Sequence, residues 1–490
     1  MKEIRMCQWG RKAPRLMRKK DRLIDLPDGI LSTIISMLTL KEAVRTSVLS
    51  KRWRYIWTCH SDLWFDSINV IGHRVHSNSI STNQPEWDGQ LQRCKFVERV
   101  DQFMHQRCEG PRIDSLAIHF HLGREFASHI DQWINSAVTK GAESIDLDLS
   151  EWCSFRVDHN SSTASECYEF PCWLPALAGR RCTVKHLRLA SCCLGDHPSS
   201  NSLLSLITIK LREVNISDQQ LKNLLSNCPF LEGLSLHQCK DLVNLDFSGP
   251  SKRMKFLNIQ NCFRLKQIEI DAENLVIFEY TGPLVCFSFK NVPKLAEAFL
   301  DFTGETRLDG VTYALTKFAS DLPQLETLYL LSILVMKTLK LPENGPTFAN
   351  IKQLMVTVYP FHDEDQLCWI SYILKAFPLL QKLQLNLFSP IFLKQPKDIE
   401  RRLPECFHKH LTEVEINGFY GNQHEAVLLK YLLDNLVLLK AIVVSPRQKV
   451  YKGCNHWIYE EASSWYKSRL QGVCEWLHSV VPPTVHLEVR

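Results

Sequence analysis

Two histidine pairs stand two residues apart in the chain, His119/His121 and His408/His410. On a strand that spacing puts both imidazoles on one face. Two imidazoles can begin a metal site, but a metal centre needs further ligands, and an isolated pair is far more often solvated or structural. Asp146/Asp148 and Asp363/Asp365 repeat the same spacing with carboxylates. General acid–base chemistry usually takes its two acids from separate elements around a pocket, so these pairs do not suggest it. The 18 cysteines include no CxxC pair, the usual zinc spacing. Phosphate-loop, GxGxxG, HExxH and GxSxG motifs are missing as well. No nucleophile–base or metal constellation stands out. The expectation is a protein without catalysis or cofactor.

Composition narrows the class. A chain of 490 residues, 45% hydrophobic and 23% charged, is long enough for two to four domains or one long repeat array. No window approaches 18 uninterrupted apolar residues, so no transmembrane helix and no membrane partner are expected. Nine Lys or Arg among the first 22 residues form a basic tail, without an apolar stretch that could act as a signal peptide. That tail has the composition of a solvated segment or a nuclear-import patch, and the nucleus or cytoplasm is the expected location. In such reducing compartments cysteines stay free and pack as small hydrophobes, and the sequons at Asn160 and Asn215 lose their meaning. A net charge of +5 is modest for this length and argues against nucleic acid as a partner.

The elements that could position a site begin at Leu26-Pro27, where Pro27 can open a helix because its missing N–H would be unpaired there. Ile30, Ile34, Ile35 and Leu38 follow at helical spacing. Leu40 and Val44 mark a short second helix, and Val48, Trp53, Ile56 and Trp57 a third, with Ser50 as its N-cap. Three helices in so few residues cannot bury all these side chains, and the remainder calls for a partner helix. The string LPDGILSTIISMLTLKEAVRTSVLSKRWRYIW resembles the F-box, the module that hangs a substrate receptor on the Skp adaptor of a cullin-based ubiquitin ligase. The resemblance assigns adaptor contact to Leu26, Pro27, Ile30, Ile34, Leu38, Val48, Trp53 and Trp57. Lys51 and Arg52 read as a solvated basic rim.

Most of the remaining chain repeats. Leu187-Arg188-Leu189 precedes Cys192, Ile209-Lys210-Leu211 precedes Val214, Leu234-Ser235-Leu236 precedes Cys239, and Leu257-Asn258-Ile259 precedes Cys262. The steps are 22, 25 and 23 residues, inside the leucine-rich-repeat range. Alternation makes a short strand with two side chains inward, and the Cys or Val closes the turn without adding a polar group. The register continues at Phe278-Glu279-Tyr280, Leu328-Tyr329-Leu330, Leu354-Met355-Val356, Leu383-Gln384-Leu385 and Val414-Glu415-Ile416, with an ill-defined turn near Leu295 to Leu300. Leu116-Ala117-Ile118 and Ile145-Asp146-Leu147 are similar strands upstream. Helical returns are expected at Asp218 to Leu225, with Ser217 as N-cap, at Asp365 to Phe377 and at Glu425 to Asp434. Residues 71–90 and 153–170 are polar and read as loops.

The strings LLSNCPFLEGLSLHQC, LKQIEIDAENLVIFEYTG and HLTEVEINGFYGNQHEAVLLKYLLDNLVLLKAIVVSP resemble plant F-box/leucine-rich-repeat proteins, the last of them their FBD-type C-terminal domain. The expected fold is α/β: a small three-helix F-box followed by an irregular leucine-rich-repeat solenoid, a horseshoe with parallel inner strands. The expected division is a basic tail over 1–21, the F-box over 22–66 and repeats over 67–400, clearest at 187–280. An FBD-like region follows over 401–450, and an unassigned tail with Trp457, Tyr459, Trp465 and Tyr466 over 451–490. The resemblance implies a substrate-recognition subunit without catalysis, with Skp, a cullin and a target protein as partners. Residues between the paired apolar positions would read the target: Arg188, Lys210, Ser235, Asn258, Glu279 and Tyr329. Two alternatives share this architecture. One is a receptor needing a small molecule, for which only Arg188 and Lys210 supply an anion-binding floor, and the other a repeat scaffold outside a ligase.

Overall fold

The computed structural model describes residues 26–38, 40–50, 52–57, 60–72, 85–107, 112–150, 167–172, 177, 182–195, 203–248, 253–334, 348–358, 368–388, 406–460 and 464–490. The basic tail, Lys51, Asn160 and the Asp363/Asp365 pair lie outside these residues.

Three short helices, α1 (Asp28–Ser36), α2 (Leu40–Arg45) and α3 (Trp53–Ile56), open the described chain. The Ser50 hydroxyl accepts from the Trp53 amide at 3.3 Å, as an N-cap should. Beyond them runs a parallel sheet of fifteen strands among the described residues. It comprises β1 (Asp62–Asp66), β2 (Ser115–His119), β3 (Ser144–Asp148), β4 (His186–Ala190), β5 (Thr208–Arg212), β6 (Gly233–His237), β7 (Phe256–Gln260) and β8 (Ile277–Gly282). It continues through β9 (Glu297–Phe302), β10 (Thr327–Leu334), β11 (Gln353–Val358), β12 (Lys382–Leu387), β13 (Glu413–Asn417), β14 (Ala441–Ser445) and β15 (His486–Val489). Each strand pairs with the next in sequence. This is a solenoid: one strand per repeat, every repeat leaning on its neighbours.

Alternation builds the core. Leu187, Leu189, Ile209, Leu211, Leu234, Leu236, Leu257 and Ile259 point inward and are buried, while the residue between each pair lies on the opposite face. The repeated turn has a common geometry. Ser191, Glu213, Gln238 and Asn261 adopt φ of 53–54°, a left-handed conformation uncommon outside glycine. Each donates its amide to a carbonyl of the next rung, as Gln238 does to Gln260 at 2.8 Å. That twist turns Cys192, Val214, Cys239 and Cys262 back into the stack, where all four are buried.

Repeat length decides what returns the chain. The short repeats between β6 and β9 return through strands at Asn244–Ser248, Gln267–Asp271 and Cys286–Asn291, which form a second, three-stranded sheet. Longer repeats have room for helices: α4 (Pro85–Gln106), α5 (Ala127–Thr139), α6 (Asp218–Ser226), α7 (Arg307–Tyr313), α8 (Cys368–Ala376), α9 (Gln423–Asn435) and α10 (Ser464–Val480). Ser217 and Gln220 make a capping box that starts α6. The expected helices at 218, 365 and 425 thus appear, the second beginning at Cys368 among the described residues. Four expectations change: the turn near Leu295 to Leu300 is strand β9, and Glu169–Phe170, inside the stretch 153–170 expected as loop, pairs as a short strand with Cys193–Leu194. Helix α4 starts inside the polar stretch expected as loop, and β15 extends the sheet into the tail that sequence left unassigned.

Candidate functional site: an outward helical patch and a covered concave face

The N-terminal helices bury part of their apolar residues among themselves. Leu31, Ile35, Ala43, Trp53, Ile56 and Trp57 form their core, with Leu26, Ile34 and Leu38 packed at its edge. Trp53 and Trp57 were expected on the adaptor face, but they are 4% and 7% exposed. An indole is the largest filler available to so small a unit, so the two tryptophans hold it together instead. Outward lie Pro27, Ile30 and Val48, joined by Met37 and Leu49, which sequence reasoning left out. Val48 is 85% exposed and Met37 79%, a cost in water that implies a partner. Arg52 clamps the entry of α1 through Asp28 and the Leu26 carbonyl, both at 2.6 Å.

This unit does not hang free. The Trp57 ring meets Phe103 of α4 at 5.1 Å, and Phe103 meets Phe65 of β1 at 5.3 Å. Buried Arg107 donates to the His60 carbonyl and, at 3.1 Å, to that of Arg112. The helical unit is therefore seated on the first rungs of the solenoid.

Across the sheet, strand register aligns one row of side chains. Asp146, Arg188, Lys210, Ser235, Asn258, Glu279, Phe299, Tyr329, Met355, Gln384 and Glu415 pair successively from β3 to β13. All six residues expected to read a target lie on this row, but they do not share one environment. Lys210 is exposed, and Arg188 and Ser235 are partly exposed. Asn258 and Glu279 are 1% and 2% exposed, contrary to expectation.

A hairpin of the chain itself covers them. Lys449–Tyr451 pairs antiparallel with Trp457–Tyr459, closed by a turn in which Gly453, Cys454 and Asn455 all have positive φ. The Tyr451 hydroxyl and the Cys454 amide donate to the two oxygens of Glu279, the latter at 3.0 Å, and Asn258 donates to the same carboxylate. Tyr451 stacks on Phe299 at 4.6 Å, Phe299 on Tyr329 at 4.3 Å, and Trp457 leans on Tyr329 at 5.5 Å. At the far end Lys449 Nζ lies 3.5 Å from Glu415, while Asn386 both accepts from the Lys449 amide and donates to its carbonyl. A Cβ on Gly453 would come within 2.8 Å of Gln260 Nε2. The signal for this element was present in KVYKGCNHWIY, two aromatic β-runs around a Gly-containing turn.

The uncovered end of the row is laced with ion pairs. Asp146 sits between His119 at 3.1 Å and Arg188 at 3.2 Å. Arg212 reaches Asp148 at 2.7 Å. Burial works against ionising Asp148, but the Ser150 hydroxyl and the Arg212 guanidinium hold its carboxyl below the usual range. Of the histidine and aspartate pairs noted in the sequence, those among the described residues serve the fold: Asp146 and Asp148 hold Arg188 and Arg212, and His121 and His408 each bond a backbone carbonyl. Among the described residues no cluster of three metal-ligating side chains occurs, nor a helix long and apolar enough to cross a membrane.

A helical unit with an outward apolar patch, seated on a parallel-strand solenoid, defines an F-box/leucine-rich-repeat protein. The chain belongs to the family described as At1g61320/AtMIF1, LRR domain, whose model matches residues 106–490, and an F-box domain matches residues 23–64. It is similar to the putative F-box/LRR-repeat protein At1g56400 of Arabidopsis thaliana, 26% identical over 85% of this chain and 87% of that one. It is also 26% identical to the Arabidopsis F-box/FBD/LRR-repeat protein At4g26340, over 90% and 97% of the two chains. The Arabidopsis F-box/LRR-repeat protein At3g03360 is 28% identical over 76% of this chain and 72% of its own. The likeness is thus to plant F-box/LRR proteins, some of them with an FBD region.

Proposed function

We propose that the protein is the substrate-recognition subunit of a Skp–cullin–F-box ubiquitin ligase, working in the nucleus or cytoplasm. The F-box docks on Skp, and the concave face of the repeats holds a target protein. Other subunits transfer ubiquitin, so this chain contributes position and effective concentration. One observation carries the reading. Ile30, Met37, Val48 and Leu49 stay outward on a helical unit whose core is already filled by Trp53 and Trp57. Large apolar side chains left this exposed call for a partner surface.

Calorimetry of the full chain with Skp tests it. The wild type should bind, and Ile30→Asp with Val48→Asp should abolish binding while leaving circular dichroism unchanged, because both side chains project into solvent. Unaltered affinity in that variant would remove the basis of the proposal. The small-molecule reading loses ground because Arg188, half of its anion floor, is already paired with Asp146.

A further inference from the structure

The hairpin shows what chemistry the covered part of the concave face accepts. Beneath and beside it Asn258, Glu279, Gln384, Asn386, Glu415 and Asn417 are all buried, an unusual run of polar side chains in a molecule whose own core is apolar. A permanent cover would be cheaper to build over apolar residues, since each buried polar group must regain the hydrogen bonds it gave up in water. The match is also incomplete, because the buried Asn258 Oδ1 has no hydrogen-bond partner among the described residues. The hairpin itself has only three residues in each strand, too little to be stable alone. It is held on the face by side chains, by the Cys454 amide and by the Asn386 contacts, and its strands form a separate two-stranded sheet.

We propose that residues 449–459 are a resident stand-in for the target. On this view the strip from Asn258 to Glu415 binds an extended target segment that carries a lysine or arginine two residues before a tyrosine, followed by a second aromatic. The tyrosine hydroxyl goes to Glu279, the aromatic rings to the Phe299–Tyr329 shelf, and the cation to Glu415. Lys449 and Tyr451 show the required spacing: two residues apart in a strand, they share one face. The target enters from the uncovered rungs at Arg188, Lys210 and Ser235 and displaces the hairpin. This inference rests on the receptor reading above and specifies its target class.

A synthetic peptide of residues 447–461 is the probe, measured by fluorescence anisotropy against full-length protein. Tyr451→Ala with Trp457→Ala removes the hairpin's own anchors, and Gly453→Val, which forces a side chain against Gln260, lifts its tip more gently. Either opened variant should bind the peptide about tenfold or more tighter than wild type, because the wild-type face is competent only when the hairpin is off. A peptide with both Tyr451 and Lys449 replaced by alanine should bind neither. Equal affinity for wild type and both opened variants would overturn the proposal. So would hydrogen exchange in wild type showing the amides of 449–460 opening only with the whole solenoid, a readout that does not depend on the variants folding. Skp binding uses Ile30 and Val48 and is measured separately, so failure of the ligase reading and failure of this one give different results.

Discussion

Glu279 carries the clearest dependence on solution conditions. Burial pushes its carboxyl above the usual range, against the opposing hydrogen bonds from Tyr451, the Cys454 and Asn455 amides and Asn258. The covered state therefore holds the proton more tightly than the open one, so seating of the hairpin is strongest below the ordinary carboxyl range and weakens as pH rises through the raised value. Amides of 449–460 should be better protected at about pH 4 than at about pH 7.5 after correction for intrinsic exchange, and Glu279→Gln should flatten the difference. Protection that grows with pH would contradict this. Asp148 works in the opposite sense: its lowered pKa adds stability above the usual carboxyl range that is lost on acidification. Trp53 and Ile30 differ as sharply. Trp53→Ala empties a core and should cost roughly 3–5 kcal/mol, seen as a lost or broadened helical transition, whereas Ile30→Asp should change partner binding alone. The cysteines are a third case. Cys192, Cys239 and Cys262 are free and buried, and burial pushes the Cys192 thiol up. Native protein should leave these three unmodified by a thiol reagent and denatured protein should expose them; stoichiometric zinc or a disulfide among them would refute the assignment.

At the scale of elements, each rung owes its stability to the rungs beside it. Leu187→Ala or Leu236→Ala should cost roughly 2–5 kcal/mol and lower the denaturation midpoint of the whole array, while Lys210→Ala on the open row should leave it unchanged. A midpoint unmoved by Leu236→Ala would mean the rungs unfold independently. Much of this was legible in the sequence. The LxL pattern with its trailing Cys or Val located the inner strands from 187 to 259, alternation alone located those at 116–118, 145–147, 278–280 and 328–416, and the Ser217 cap located α6. The blurred turn near Leu295 is an ordinary strand, β9, in which Phe299 stands outward to hold Tyr451. Strands β1, β14 and β15 were missed because their flanking residues lack the repeat signature. The cover on the concave face was missed for a different reason: alternation reports which side of a strand a residue faces, never what later folds over it. The same limit hid the burial of Trp53 and Trp57 in the helical core, since a residue type favoured at interfaces is favoured in small cores too.

At the scale of the molecule, the seat formed by Trp57, Phe103 and Arg107 joins the outward helical patch to the solenoid. On the proposed reading, an adaptor bound at Ile30 and Val48 would then hold a target on the concave face at a set reach. Affinity purification of the full chain, followed by quantitative mass spectrometry, tests this directly. The wild type should capture Skp, a cullin and at least one further protein. Lys210→Glu with Ser235→Arg on the open rungs should lose that further protein and keep Skp and the cullin, whereas Ile30→Asp with Val48→Asp should do the reverse. A folded wild-type chain that captures neither Skp nor a cullin would contradict the account.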